Sequence, residues 1–236
     1  MARTQPAYRD SHGRTLEDYP RPSVAVDTAL LTVTDGRLQV LLTLTNDAVR
    51  GRSTKQWRLP GTFLHPNERL ADAVRRSLAD KASVTGLAPT QLEVFDDPRR
   101  DDRGRVLSVA HLAAVRVDRI PLTDRTKLVP IDELGPLEYD HDRIVAAAVD
   151  RLRADYRQLP DPAVLLPDAG LDEPADSFTV RALRQLHEAV IGETFNADTF
   201  RRTMLPALTP TGQWRTGARG KPAELYLRAA ADVSRL

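Results

Sequence analysis

The feature that most constrains the fold is a passage from an apolar run through a polar loop into a helix, with charged side chains at fixed intervals along it. Trp57-Arg58-Leu59-Pro60-Gly61 leads into the loop Thr62 to Asn67. Leu70, Ala73, Val74 and Leu78 then recur at the spacing of one helical face. The pattern predicts a helix over residues 69–81 with that face turned to a core. Glu68 and Arg76 are placed so that they could pair and hold the loop against the helix. Ser77, Asp80 and Lys81 fall at i, i+3 and i+4, so a helix of about 3.6 residues per turn stacks them on one side.

With its flanks, the passage resembles the Nudix box, G-x5-E-x7-R-E-U-x-E-E-x-G-U with U apolar. Thr62 falls at the box glycine, Glu68 at the first glutamate and Arg76 at the arginine; Leu78 and Val84 fill apolar positions. The departures lie in the chemistry. Ser77 stands for the glutamate after the arginine, Asp80-Lys81 for the paired glutamates, and Ser83 for the closing glycine. Three glutamates on one face would hold Mg²⁺, which takes hard oxygen ligands in near-octahedral geometry and polarises phosphoryl oxygens. This face offers a hydroxyl, one shortened carboxylate and an ammonium, and Lys81 opposes a cation by like-charge repulsion. No metal site and no catalytic residue are therefore expected.

A chain of 236 residues with 41% apolar content can bury one large core or two modest ones. It has no cysteine, which excludes disulfides and thiolate metal sites and makes a reducing compartment the default. No apolar run approaches the roughly 20 residues of a membrane span, and the N-terminus lacks a signal-peptide core, so a cytoplasmic location is expected. From Ser177 onward nine Lys plus Arg face five Asp plus Glu, a surplus of four in a chain of net charge +1. That asymmetry points weakly to an anionic partner for the C-terminal part.

Residues 1–20 read as a mobile arm, residues 21–155 as one domain, 156–176 as a proline-rich acidic linker and 177–236 as a second domain. Ser23 to Thr34 and Arg37 to Thr45 read as a hairpin about Asp35-Gly36. Leu92 to Phe95 and Val106 to Val115 read as strands, and Asp140 to Leu152 as a helix. Beyond the linker, Thr179 is a natural N-cap for a helix with Val180, Leu183, Leu186 and Val190 inward, and Gly192 a natural stop. Asn196 caps a second helix with Phe200 and Met204 inward and Thr199, Arg201 and Arg202 outward. Leu208 to Trp214 and Ala223 to Arg228 are short β-like runs around the basic turn Arg215 to Pro222. This is the layout of a winged helix-turn-helix, in which a helix enters the major groove and the wing touches backbone or minor groove. A small helical dimerisation or lid domain with solvated arginines would share it. Gly217 to Lys221 has neither the spacing nor the flanks of a phosphate-binding loop.

The whole arrangement resembles the NrtR family, Nudix-related transcriptional regulators of NAD metabolism, over roughly residues 20 to 230. Besides the box, the pieces that carry the likeness are Arg99 to Ala110, Leu137 to His141, Phe178 to Leu183, Phe200 to Arg202 and Arg219 to Tyr226. The resemblance implies an α+β protein: an N-terminal Nudix-like α/β/α sandwich with a mixed sheet, then a winged helix-turn-helix. It implies a homodimer on palindromic double-stranded DNA, a repressor of NAD biosynthesis or salvage genes, released by ADP-ribose or a related metabolite, with no cofactor required. The alternative is a divergent Nudix hydrolase of ADP-ribose or another nucleoside diphosphate derivative with a C-terminal lid or dimerisation domain.

The residues suit such a ligand. Arg100, Arg103 and Arg105 offer guanidinium forks for a diphosphate without a metal. Arg58 could stand at the pocket mouth, and His141 could reach it or simply cap a helix. With Glu68 and Arg76 these form the expected ligand site. A solvated turn balanced by Asp96, Asp97, Asp101 and Asp102 is the plainer account of the arginine run. For DNA the candidates are Asn196, Thr199, Arg201 and Arg202 on the second helix and Arg219 and Lys221 on the wing, the arginines for bases or phosphates and the shorter side chains for backbone.

Overall fold

Ser23–Thr34 forms strand β1 and Arg37–Val49 strand β2, joined by the two-residue turn expected from Asp35-Gly36. Both turn residues have positive φ, 52° and 70°, and Thr34 pairs with Arg37, the geometry that matches the twist of the flanking strands. The computed structural model describes residues 8–49, 52–167, 170, 173–216 and 222–229. The further strands of the first sheet are β3 (Arg52–Arg58), β4 (Gly61–Phe63), β5 (Thr90–Phe95), β6 (Val106–Ala114) and β7 (Thr126–Pro130). They run in the order β3-β2-β1-β6-β5, with β4 on β1 and β7 on β2. The β1–β6 pair is parallel and the others are antiparallel, so the sheet is mixed.

Alternation along the central strands gives the sheet two apolar faces. Val26 and Leu30 of β1, Leu41 of β2 and Ala113 of β6 pack with Ala73, Val74 and Leu78 of α1 (Leu70–Ala82). Ala29, Leu31, Val40, Leu42, Ala110 and Leu112 pack instead with Ile144, Val145, Ala148, Val149 and Leu152 of α2 (His141–Gln158). Each large side chain so buried contributes roughly 1.5–3 kcal/mol, and the result is the expected helix/sheet/helix sandwich. The end of α1 keeps its turn without glycine. Ser83 takes φ 54°, and its N–H and that of Val84 close back on Ala79 and Leu78.

The C-terminal unit is α3 (Val180–Ile191), α4 (Ala197–Met204) and a three-stranded sheet of β8 (Phe178–Thr179), β10 (Ala223–Arg228) and β9 (Leu208–Arg215), in that order. Thr179 Oγ1 accepts from Ala182 N at 3.1 Å, Gly192 closes α3 with φ 83°, and Asn196 Oδ1 accepts from Asp198 N and Thr199 N. The caps fall where the sequence places them. The basic turn of the wing, residues 217–221 with Arg219 and Lys221, lies outside the described residues. Among those described, no helix is long and apolar enough to cross a membrane.

The junction departs from expectation. The α2 helix continues to Gln158, past the boundary drawn at residue 155, and the segment that follows is not a solvated tether: Leu165, Leu166 and Asp161 are buried. Asp161, with φ 50°, accepts from Tyr156 Oη (2.6 Å), Leu165 N (2.7 Å), Leu166 N (3.1 Å) and the Arg228 guanidinium. One carboxylate thus ties α2, the connection and β10 together. Beside it Tyr156, His187 of α3 and Phe200 of α4 meet edge to face at 5.0 and 5.1 Å, so the two units share one apolar core. Burial depresses the His187 imidazole to about 4, which keeps it neutral in that stack at neutral pH. Four prolines and several acids conceal this packing in the sequence, because local composition carries no trace of a partner 67 residues away at Arg228.

Asp161→Asn keeps the size of the side chain and tolerates the positive φ, but it loses the charge that Arg228, Tyr156 and two amides share. It is expected to cost roughly 2–3 kcal/mol in urea unfolding of the full chain. A loss below about 0.5 kcal/mol, the range of ordinary surface changes, would show that the carboxylate does not hold the junction.

Candidate functional site

Asp27 is the one ionisable residue in the long apolar strand β1, and it sits 7% exposed beneath a cleft. Ser108 Oγ of β6 donates to its Oδ2 at 2.6 Å, Arg100 lies 3.8 Å from the same oxygen, and His141 Nε2 lies 3.4 Å from Oδ1. Leu59 N donates to His141 Nδ1 at 3.1 Å, so the imidazole proton resides on Nε2, facing Asp27. Burial alone would raise the Asp27 carboxyl, but His141, Ser108 and Arg100 outweigh it and hold it below the usual carboxylate range. Gly61 pairs with Asp27 across β4 and β1, and a Cβ there would stand 1.9 Å from Asp27 Oδ1. Glycine is required at Gly61 by close approach, not by its φ.

Above Asp27 the cleft encloses about 220 Å³, with Arg58, Phe63, Lys81, Arg103, Tyr139 and His141 among its walls. Tyr139 and Asp140 have φ 59° and 60°, a left-handed pair that turns the chain into α2 and lays the Tyr139 ring over the cleft. The Arg58 guanidinium lies 4.6 Å and that of Arg103 5.0 Å from the Tyr139 ring centre, and Arg103 also lies 5.5 Å from Phe63. Each cation is also paired: Arg58 with Glu138, Arg103 with Asp101 at 2.7 Å. A larger groove of about 1050 Å³ runs between the two units beside α3, but the convergent charges and aromatic rings lie in the smaller cleft.

Of the ligand residues expected from sequence, Arg58, Arg100, Arg103 and His141 line this cleft and Glu68, Arg76 and Arg105 do not. Arg105 is exposed and donates to the Asp96 carbonyl. Arg100 is not an open fork: its side chain is 2% exposed, it donates to Tyr139 O at 2.7 Å and it approaches Asp140 at 3.4 Å. Arg103, 54% exposed, lines the cleft with its guanidinium forked onto Asp101 at 2.9 and 2.7 Å. Glu68 and Arg76 form a lock, with Arg76 Nε and Nη2 donating to the two Glu68 oxygens at 2.8 Å. Further Arg76 bonds reach Thr62 Oγ1 at 3.1 Å and Phe63 O at 3.0 Å, and Glu68 also accepts from His65 N. Asp27, Phe63 and Tyr139 were missed as site residues. A lone carboxylate in an apolar strand is the signal that could have found Asp27.

The face of α1 that a magnesium site would use does not fit one. Ser77 Oγ is buried with no partner, Asp80 is exposed, and the Lys81 ammonium donates to the Gly61 carbonyl. Hard oxygen donors do not converge there, and among the described residues no group of three or more His, Cys, Asp or Glu is placed to hold a metal.

On the C-terminal unit Thr199, Arg201 and Arg202 stand exposed on α4. Arg201 reaches Tyr226 Oη of the wing at 3.5 Å. The Asn196 side-chain oxygen is engaged in capping α4, and Arg215 forks onto Glu173 at 2.5 and 2.6 Å.

Residues 22–148 match the NUDIX domain family, and residues 175–227 match the NrtR DNA-binding winged helix domain. The ADPR responsive transcriptional repressor NtrR of Acinetobacter baylyi is 26% identical over 91% of this chain and 85% of its own length. The crystal structure of Shewanella oneidensis NrtR complexed with a 27mer DNA superposes with a TM-score of 0.70 at 29% identity, covering 87% of this chain and 93% of that one. The NUDIX domain of the same protein in cocrystal with ADP ribose gives 0.51 at 26% identity, covering 60% and 95%.

The lock has a pH signature. Arg76 and the His65 amide bring the Glu68 carboxyl from its ordinary 4.5 down to about 2. Because the folded value is the lower one, its stabilisation is complete above 4.5, fades as pH falls and is gone near 2. The difference in urea midpoint between the wild type and Glu68→Gln should therefore be constant from pH 7 to 5 and shrink towards pH 2. A difference that stays flat across the acid range would remove the lock from the account.

Proposed function

Since the chain belongs to the Nudix domain family and carries an NrtR-type winged helix domain, we propose that it is a transcriptional repressor whose hold on DNA is set by ADP-ribose in the Nudix cleft. The observation that carries this reading is the combination at one site of a cationic, aromatic-walled cleft with a helix face that has lost its metal ligands. Arg103 exchanges its Asp101 partner for a diphosphate, Arg58 and Tyr139 offer a cationic and aromatic wall, and Arg100 and His141 set the floor with Asp27. Glu68 and Arg76 keep the loop in place without touching ligand. No cofactor is needed, and the protein does not hydrolyse what it binds.

DNA is read by α4, with Arg201 and Arg202 towards bases or phosphates, Thr199 as a shorter backbone contact and Asn196 presenting the helix start. Arg219 and Lys221 are the wing contacts. The DNA is a palindromic operator of NAD biosynthesis or salvage genes and the protein a homodimer, since a twofold site calls for a twofold reader. It works in the cytoplasm. The likeness to a repressor named for its response to ADPR and to a relative solved on DNA supports this reading.

Linkage gives the mechanism its sign. A metabolite that binds better to the DNA-incompetent arrangement weakens operator binding by its differential affinity, and DNA weakens the metabolite equally. ADP-ribose titrated into the protein–operator complex should release the DNA in a gel shift; unchanged binding at saturation would sink the effector assignment. Pure protein with ADP-ribose and Mg²⁺ should yield no ribose 5-phosphate or AMP above background. Steady release of those products would restore the hydrolase reading.

A further inference from the structure

Lys81 is the cleft residue for which the loss of catalysis gives no positive reason. A glutamate replaced at random on an exposed helix turn would leave any polar side chain. Here the replacement is a lysine whose ammonium is held at the cleft wall by the Gly61 carbonyl, and Gly61 itself is fixed by its close approach to Asp27. Lys81 shares its helix face with the buried, unpartnered Ser77 hydroxyl and lines the same cleft as Arg58, Arg100 and Arg103. The carboxylates Asp27 and Asp101 stand among these cations and pair with Arg100 and Arg103, so an added anion meets positive groups that already have partners.

A diphosphate in a narrow cleft needs its charge compensated there. Mg²⁺ does this with hard oxygen ligands, which this face lacks, whereas an ammonium brings three N–H donors and a permanent charge on a covalent stem. We infer that Lys81 is a ligand-contacting residue that takes over the electrostatic part of the missing metal, so that the cleft binds a diphosphate-bearing nucleotide without any divalent cation. The inference rests on the effector reading above and adds to it the group that makes metal-free binding possible, a named phosphate contact in the place of the metal. It also gives the helix face a use beyond silence. The charge that excludes a metal is the charge that receives the ligand.

Calorimetric titration of the full chain with ADP-ribose, in EDTA and again in millimolar Mg²⁺, tests this directly. The wild type should bind with the same affinity in both. Lys81→Met should weaken binding about tenfold or more in both buffers, the scale of one lost charge-assisted hydrogen bond. Lys81→Arg keeps the charge and should stay within about threefold of the wild type, a few tenths to 0.7 kcal/mol by the same conversion. Tighter binding in Mg²⁺ than in EDTA would overturn the metal independence. Equal affinity of wild type and Lys81→Met, or an equal loss in Lys81→Met and Lys81→Arg, would overturn the contact. A wild type that does not bind ADP-ribose in either buffer would remove the effector reading itself, and this inference with it.

Discussion

The arrangement of the N-terminal unit depends on one buried carboxylate. Asp27 sits where the parallel pair β1–β6 and the antiparallel pair β1–β4 meet, and a charge there is costly unless it is compensated. Compensation comes from three separate parts of the chain: Ser108 on β6, His141 at the start of α2, and Arg100 in the turn after β5. Gly61 must leave it room, and Leu59 must orient the histidine that faces it. The cleft floor is therefore a single bonded network, and its members cannot be moved one at a time without exposing an unpaired polar group.

The walls above that floor obey a different energetics. Arg58 and Arg103 are held by Glu138 and Asp101, of which Glu138 is half exposed, and by the face of Tyr139. In each pair one member is exposed and one is buried, Arg58 in the first and Asp101 in the second, so a ligand that takes the place of one partner must also compensate the buried charge it leaves. The cleft of about 220 Å³ is smaller than the roughly 300–1,000 Å³ of ordinary small-molecule sites. A ligand as large as ADP-ribose must then exchange internal partners for its own phosphates. A stiff floor under exchangeable walls suits a site that responds to occupancy more than one that must hold reacting atoms still.

Much of this was legible in the sequence wherever the cause is local. The Asp35-Gly36 turn, the caps Thr179, Asn196 and Gly192, the apolar face of α1 and the altered box are short-range patterns, and each is found where the pattern puts it. The arginine run was legible as a cluster but not as individuals. Which of Arg100, Arg103 and Arg105 faces the cleft depends on the turn's path, and Arg105 points away to Asp96. Asp27 was illegible because its partners are far off in the chain, His141 being more than a hundred residues on. Tyr139 was illegible because its place rests on two successive left-handed residues that no glycine announces. The packed connection after α2 was concealed for the same reason: its cause is tertiary.

The length of α2 has a consequence of its own. Its first residue, His141, belongs to the cleft floor, and its last turns carry Tyr156 into the stack with His187 and Phe200, the latter on the inward side of α4. Eighteen residues at about 1.5 Å each make a strut of about 27 Å. Such a strut does not compress, so what it passes on is angle. A tilt of a few degrees at the His141 end displaces the far end by an ångström or more, about the size of the shifts by which packed helices trade one arrangement for another. In the homodimer proposed above, the part of such a displacement directed along the line between the two α4 helices would be reversed in the partner and would change their separation by twice its own length.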